Sequence, residues 1–218
     1  MTDLSHCTVV IAGASSASGL AATRALVGAG ARVVAVGRSA DRLDEVAAAG
    51  AEAAVCDLSD LAAVERLAEA VGPIDGLLHL VGGWRGGGGL AGQSDDDFDA
   101  LLASFTALRH ATRAFDAALR RSEAARVAIV SSTAVARPLA GGANYAAVKA
   151  ASEAWTRAVA QGFAKAARDA DAPLRAASVV FRVKSLAGLE DTLAEAFVAL
   201  WDAPAIEIND TIIDLASA

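Results

Sequence analysis

The sequence predicts an α/β protein: a single doubly wound parallel sheet of about seven strands with helices on both faces. Three observations predict it. Short apolar runs alternate with longer helical stretches along the whole chain. These runs are apolar throughout rather than at every second residue, so both faces of the sheet must be covered. A glycine- and serine-rich turn joins the first run to the first helical stretch. At 218 residues the chain fits one domain, residues 1–218, large enough to need no disulfide or metal staple.

The elements follow in order. Thr8-Val9-Val10-Ile11 is the first strand, and Leu20 to Gly28 reads as a helix ended by Gly28-Ala29-Gly30. Ala31 to Val36 is the second strand, and Asp41 to Ala49 is helical until Gly50 stops it. Ala51 to Cys56 is the third strand, followed by a helix from Leu61 to Val71 capped by Ser59 or Asp60. Gly76 to Val81 is the fourth strand, and Ser94 caps a long helix from Asp95 to Leu119. Arg126 to Ser131 is the fifth strand, and a helix carrying Tyr145 and Lys149 comes next. Leu174 to Phe181 is the sixth strand. A helix from about Leu189 to Trp201 and a strand from Thr211 to Leu215 complete the pattern.

Composition narrows the function classes. A net charge of −7 argues against nucleic-acid binding. No run of about 18 residues stays apolar without glycine, polar or charged interruption, so no membrane span is expected. The first residues lack a basic segment followed by an apolar one, which points to a cytoplasmic protein. Cys7 and Cys56 both fall in predicted strands and read as reduced, buried thiols. The three histidines are scattered, and no metal site is expected.

Two features carry chemistry. The first is the turn Gly13-Ala14-Ser15-Ser16-Ala17-Ser18-Gly19 between the first strand and first helix. Backbone N–H groups at such a helix start hold phosphate, and glycine lets a ligand approach closely. In this position the turn points to a Rossmann-like dinucleotide site. The second is Tyr145 and Lys149, one helical turn apart, so that a phenol and an ammonium project from one face. Free tyrosine has a pKa of about 10 and is a poor base at neutral pH. A cation about 4 Å away contributes roughly 4 kcal/mol, enough to lower that pKa by roughly two to three pH units. The pair is expected to exchange a proton with an alcohol or carbonyl near neutral pH.

With these motifs the chain resembles the short-chain dehydrogenase/reductase family. Gly13 and Gly19 match that family's glycine turn, while Ala12 and Ala17 stand where it has threonine and glycine. The resemblance implies an active serine thirteen residues before the tyrosine, which is Ser132. It implies that Ser132 orients the substrate oxygen, that Tyr145 gives or takes its proton, and that Lys149 lowers the tyrosine pKa and holds the nicotinamide ribose. Cofactor contacts are implied at Gly13, Ser15, Ser16, Ser18, Gly19, Arg38, Asp57, Leu58, Leu80, Val81, Gly82, Tyr145, Lys149, Phe181 and Val183. Gly37-Arg38 ends the second strand with no acid, so NADP(H) is expected over NAD(H). The expected function is hydride transfer between nicotinamide and a carbonyl or alcohol substrate. The alternative is a non-catalytic NADP(H)-binding sensor or partner protein on a degenerate scaffold.

Departures from the family pattern motivate that alternative. His79-Leu80-Val81-Gly82 replaces Asn-Asn-Ala-Gly, and the long fourth helix has Ser104 or Phe105 where the family has asparagine. His79 reads as a packed, hydrogen-bonded core residue. Only about Val183 to Gly188 remain of the family's substrate-covering insertion. The stretch Gly82 to Gly89 is the candidate replacement, with mobile glycines, Trp84 as an apolar plate and Arg85 to meet an anion. Arg85 and Arg182 are both expected near the pocket mouth. Ala146, Ala147, Ala150, Ala151, Ala154 and Ala158 beside Trp155 suit close helix packing, and a homodimer or homotetramer is expected.

Overall fold

The computed structural model describes residues 2–215. Its elements are β1 (Thr8–Ala12), α1 (Ala17–Gly28), β2 (Arg32–Gly37), α2 (Asp44–Ala48), β3 (Glu52–Val55), α3 (Leu61–Val71), β4 (Gly76–His79) and α4 (Asp95–Arg121). They continue with β5 (Arg126–Ser132), α5 (Ala143–Asp169), β6 (Ala177–Val183), α6 (Glu190–Ala199), α7 (Ala205–Ile208) and β7 (Ile212–Asp214). The seven strands form one parallel sheet in the order β3-β2-β1-β4-β5-β6-β7. The order reverses between β1 and β4, which opens a crevice above the carboxyl ends of those strands.

Apolar strands arise because each face of the sheet has its own core. Val9, Ile11, Val33 and Phe181 pack with Leu26 of α1 and Leu193 and Phe197 of α6. Their neighbours Val10, Val34, Leu77 and Val127 face the other way, onto Val64 of α3, Phe115 and Leu119 of α4 and Phe163 of α5. Caps fix where the helices begin. Asp60 Oδ1 accepts from the amides of Ala62 and Ala63, and Ser94 Oγ from that of Asp97. Three aspartates then fill the first turn of α4, against the positive end of its dipole.

The amino ends of the strands are fastened by a buried cation. Arg126 donates to the carbonyls of Leu200, Ala125, Arg175 and Ala203, so it ties β5 to the segments before β6 and after α6. This explains one shift from expectation. The Arg175 carbonyl goes to that guanidinium, and β6 starts at Ala177 rather than Leu174. At its other end β6 continues through Arg182 and Val183, which pair with Ser131 and Ser132. Other boundaries move too. A 3₁₀ turn at Asp41–Leu43 shortens α2, β4 ends at His79, and the short α7 has no counterpart in the sequence reading. Cys7 and Cys56 are free and flank β1 and β3 rather than lying in them. Burial pushes the Cys7 thiol up to about 11, with Asp75 adding to the effect, and pushes Cys56 up as well.

Candidate active site

The glycine turn meets the end of β4 at the crevice. Gly13 has φ +84°, and a Cβ there would lie 2.8 Å from the Val81 amide nitrogen. Gly19 is tighter still, since a Cβ would sit 2.2 Å from the Ala14 carbonyl oxygen. Both positions therefore require glycine. Ser16 caps α1, its Oγ accepting from Gly19 N at 3.1 Å. Ser18 is buried, whereas Ala17 is exposed, so the extra methyl faces away from the packed turn. This surface suits a dinucleotide: a helix start with unshared N–H groups, next to two strand ends, with no side chain at Gly13 to obstruct.

On the β2 side of the crevice, Arg38 is exposed just past β2. Asp57 accepts from the Ser59 amide and hydroxyl, which hold its carboxyl below the usual range, and the Arg38 charge lowers it further. Leu58 turns its side chain into the core, and its carbonyl accepts from His110 Nδ1. One sequence expectation needs correction. Phe181 is fully buried under α1 and α6, and its backbone is paired within the sheet because β6 runs on to Val183. It is not part of the cleft surface. Arg182, expected near the pocket mouth, is paired with Glu153 at 2.8 Å.

Ser132, Tyr145 and Lys149 come together at the end of β5 and the start of α5. Ser132 ends β5, and its Oγ accepts from Ala134 N at 3.1 Å, which leaves its O–H free to donate. Tyr145 is half-buried; burial raises its pKa, against the pull of the adjacent Ser132 hydroxyl. Lys149 Nζ donates to the Val130 carbonyl at 2.8 Å and lies 5.8 Å from the Tyr145 ring centroid. Burial pushes the Lys149 pKa down to about 8, opposed by Glu153. The expected lowering of the phenol by the lysine is therefore not seen. The ammonium is turned to a backbone carbonyl, and desolvation dominates at the phenol. Gly82 borders the site, with the place of its missing Cβ 3.6 Å from Nζ. Leu80 and Val81 are partly buried beside it, and Val183 is the register partner of Ser132.

A buried network that the sequence reading missed supports this group. Glu153, one turn beyond Lys149, accepts from Ser131 Oγ at 2.7 Å and from Arg182 at 2.8 and 3.3 Å. The four-residue spacing from Lys149 to Glu153 was the available signal. His79 is buried, as expected, with Nε2 3.2 Å from the Ser104 carbonyl. Only a protonated Nε2 can bond there, so Nδ1 is left as an acceptor with no partner among the described residues. Burial, with the Lys149 charge adding, pushes the His79 pKa down to about 3, so the ring is neutral. Ser104 spends its own hydroxyl on the Leu101 carbonyl.

The glycine-rich stretch is shaped rather than loose. Gly86, Gly87, Gly88 and Gly89 all have positive φ, and a Cβ at Gly86 would lie 2.4 Å from the Gly141 carbonyl oxygen. Trp84 is 66% exposed, and Arg85 pairs with Asp97 at 3.1 Å, so neither expected arginine is left unpaired at the mouth. No cluster of three or more potential metal ligands occurs among the described residues. No helix among them is long and apolar enough to cross a membrane.

A family model described as short chain dehydrogenase matches residues 7–167. No curated protein matches the chain. Among solved structures, a short chain oxidoreductase from Pseudomonas aeruginosa, bound to NADPH and described as containing an atypical catalytic center, superposes with a TM-score of 0.84 at 23% identity. That likeness covers 99% of this chain and 97% of the other. A metagenomic short-chain oxidoreductase in complex with NADP gives 0.81 at 27% identity, over 99% of each chain. A short-chain type dehydrogenase/reductase from Mycobacterium ulcerans gives 0.83 at 17% identity, covering 99% of this chain and 90% of that one.

Proposed function

We propose a function from one premise, that the chain belongs to the short-chain dehydrogenase family. It is an NADP(H)-dependent oxidoreductase acting on a small carbonyl or alcohol. The observation that carries this reading is the convergence of the Ser132 hydroxyl, the Tyr145 phenol and the Lys149 ammonium beside the glycine turn. When bound, NADPH supplies the hydride. Gly13, Ser15, Ser16, Ser18 and Gly19 would hold its phosphates, with Asp57, Val81 and Gly82 along the crevice. Arg38, exposed and unopposed by an acid at the end of β2, favours a ribose 2′-phosphate, hence NADP(H) over NAD(H).

Ser132 donates to the substrate oxygen and fixes its position. Tyr145 is protonated near neutral pH, as a phenol ordinarily is, and burial raises its pKa further, so it is set to donate. As the carbonyl carbon gains the hydride, the phenolic proton passes to the oxygen, and the alcohol forms. Lys149, charged below about pH 8, would hold the nicotinamide ribose. The exposed small residues Ala147, Ala150, Ala154 and Ala158 of α5 form a surface suited to a second copy, so the working form is a homodimer or homotetramer.

The test is a nucleotide titration of NADPH against NADH, followed by a carbonyl panel on wild type and Tyr145→Phe. The expected result is tighter NADPH binding and turnover that falls about a thousandfold or more in the variant. Tight NADPH binding with no turnover of any carbonyl or alcohol would favour the non-catalytic alternative.

A further inference from the structure

The helix that carries Tyr145 begins without a cap of its own. Its N-cap position is Gly142, which has no side chain to accept from the first free amides. The acceptor comes from elsewhere. Gln93 Oε1 takes the Asn144 amide at 3.1 Å, and Asn144 is the residue immediately before Tyr145. Asn144 answers with its own side chain, Nδ2 donating to the Ser94 carbonyl at 3.1 Å. Ser94 in turn caps α4. Gln93 and Ser94 therefore join the starts of α4 and α5.

The other end of the same amide holds the glycine loop. Gln93 Nε2 donates to the carbonyls of Gly87 at 2.9 Å, Gly141 at 3.1 Å and Gly89 at 3.2 Å. Gly87 N adds a direct bond to the Gly141 carbonyl at 2.7 Å. The loop is pressed so closely on the Gly141 turn that Gly86 has no room for a Cβ. Its near end, Gly82, borders the Lys149 ammonium, and its far side touches the turn leading into Tyr145. Between these ends it carries the exposed Trp84.

We propose that Gln93 is a positioning residue that couples the glycine loop beside Lys149 to the helix start bearing Tyr145, so that substrate seating on the loop and alignment of the phenol are set by one side chain. The oxygen of the amide serves the helix, and the nitrogen serves the loop. The proposal rests on the oxidoreductase reading for its kinetic consequences, but the coupling itself is a property of the free protein.

The two functions of the amide can be separated. Gln93→Glu keeps an acceptor for the Asn144 amide and loses the donors to the loop. Gln93→Leu loses both. Hydrogen exchange by mass spectrometry reads the two segments without substrate. In Gln93→Glu, exchange is expected to quicken across residues 84–92 while residues 143–148 keep wild-type protection. In Gln93→Leu both segments quicken. With a carbonyl substrate, Gln93→Glu is expected to raise KM about tenfold with kcat within about threefold, and Gln93→Leu to lower kcat about tenfold as well. NADPH affinity is expected to stay within about twofold in both.

Should Gln93→Leu fail to fold, Gly86→Ala opens the loop sterically with Gln93 intact and is expected to match Gln93→Glu. Equal behaviour of Gln93→Glu and Gln93→Leu at residues 143–148, or an unchanged loop in Gly86→Ala, would overturn the coupling. Exchange as expected with no turnover of any carbonyl would leave the coupling standing and overturn the catalytic reading instead.

Discussion

Replacing Lys149 with methionine tests the electrostatics of the site with no substrate or nucleotide present. The ammonium has the Val130 carbonyl as acceptor, and burial takes its pKa from 10.5 down to about 8 against the pull of Glu153. The folded protein thus holds this proton less tightly than the unfolded chain does. Below about pH 8 the charged lysine opposes folding in full, and that opposition fades as the pH rises from 8 to 10.5. A fall of about 2.5 pH units corresponds to about 3 kcal/mol at pH 7. Methionine leaves the Val130 carbonyl without its donor, which returns about 1 kcal/mol. The variant is therefore expected to be more stable than wild type by about 2 kcal/mol at pH 7. That advantage should shrink by about 2 kcal/mol between pH 7 and pH 9.5. Urea denaturation of both proteins at several pH values in this window measures it, provided the two share one denaturant slope. Groups common to both proteins cancel in the difference. A variant less stable than wild type at pH 7, or a gap that does not change with pH, would refute the reasoning.

Two further outcomes are expected. Arg38→Asp should move the NADPH-to-NADH preference toward NADH by about tenfold or more, since an acid repels the 2′-phosphate and accepts from the ribose hydroxyls; nucleotide titrations read this directly, and an unchanged ratio would remove Arg38 from the site. Arg182→Leu leaves the buried Glu153 carboxylate with only Ser131 as a hydrogen-bond partner and is expected to cost about 3 kcal/mol, while the double variant with Glu153→Gln costs less. A double-mutant cycle in urea checks the pair, and a single variant no worse than the double would show that the pair does not hold this corner of the fold.

The sheet and its crevice were legible because the governing signals are local. Val9 and Val10 face opposite cores, so the strand had to be apolar throughout, and Gly13 and Gly19 mark positions where a Cβ has no room. The one-turn spacing of Tyr145 and Lys149 likewise put both on one helix face. What could not be read depended on partners distant in sequence. Gln93 reaches residues 141 and 144 only after β5 and the start of α5 have folded back over the loop. Arg182 could be placed near the pocket mouth, but its partner showed only once β6 extended far enough to bring it beside Glu153. The phenol pKa went astray for a related reason. Spacing fixes which side chains are neighbours, but not which acceptor the lysine will choose or how much water each group loses.

The shape of the glycine loop has a consequence for heat. Glycine surrenders more backbone freedom on ordering than any other residue, so this loop is held by hydrogen bonds against an unusually large entropic pull. Its bonds to Gly141 and Gln93 are few, and none lies in the sheet or its two cores. On warming, such a segment opens locally while the strands and the Arg126 fastening remain intact. Turnover should therefore decline reversibly at temperatures where the protein as a whole is still folded, and the optimum would report the melting of a single loop rather than of the domain.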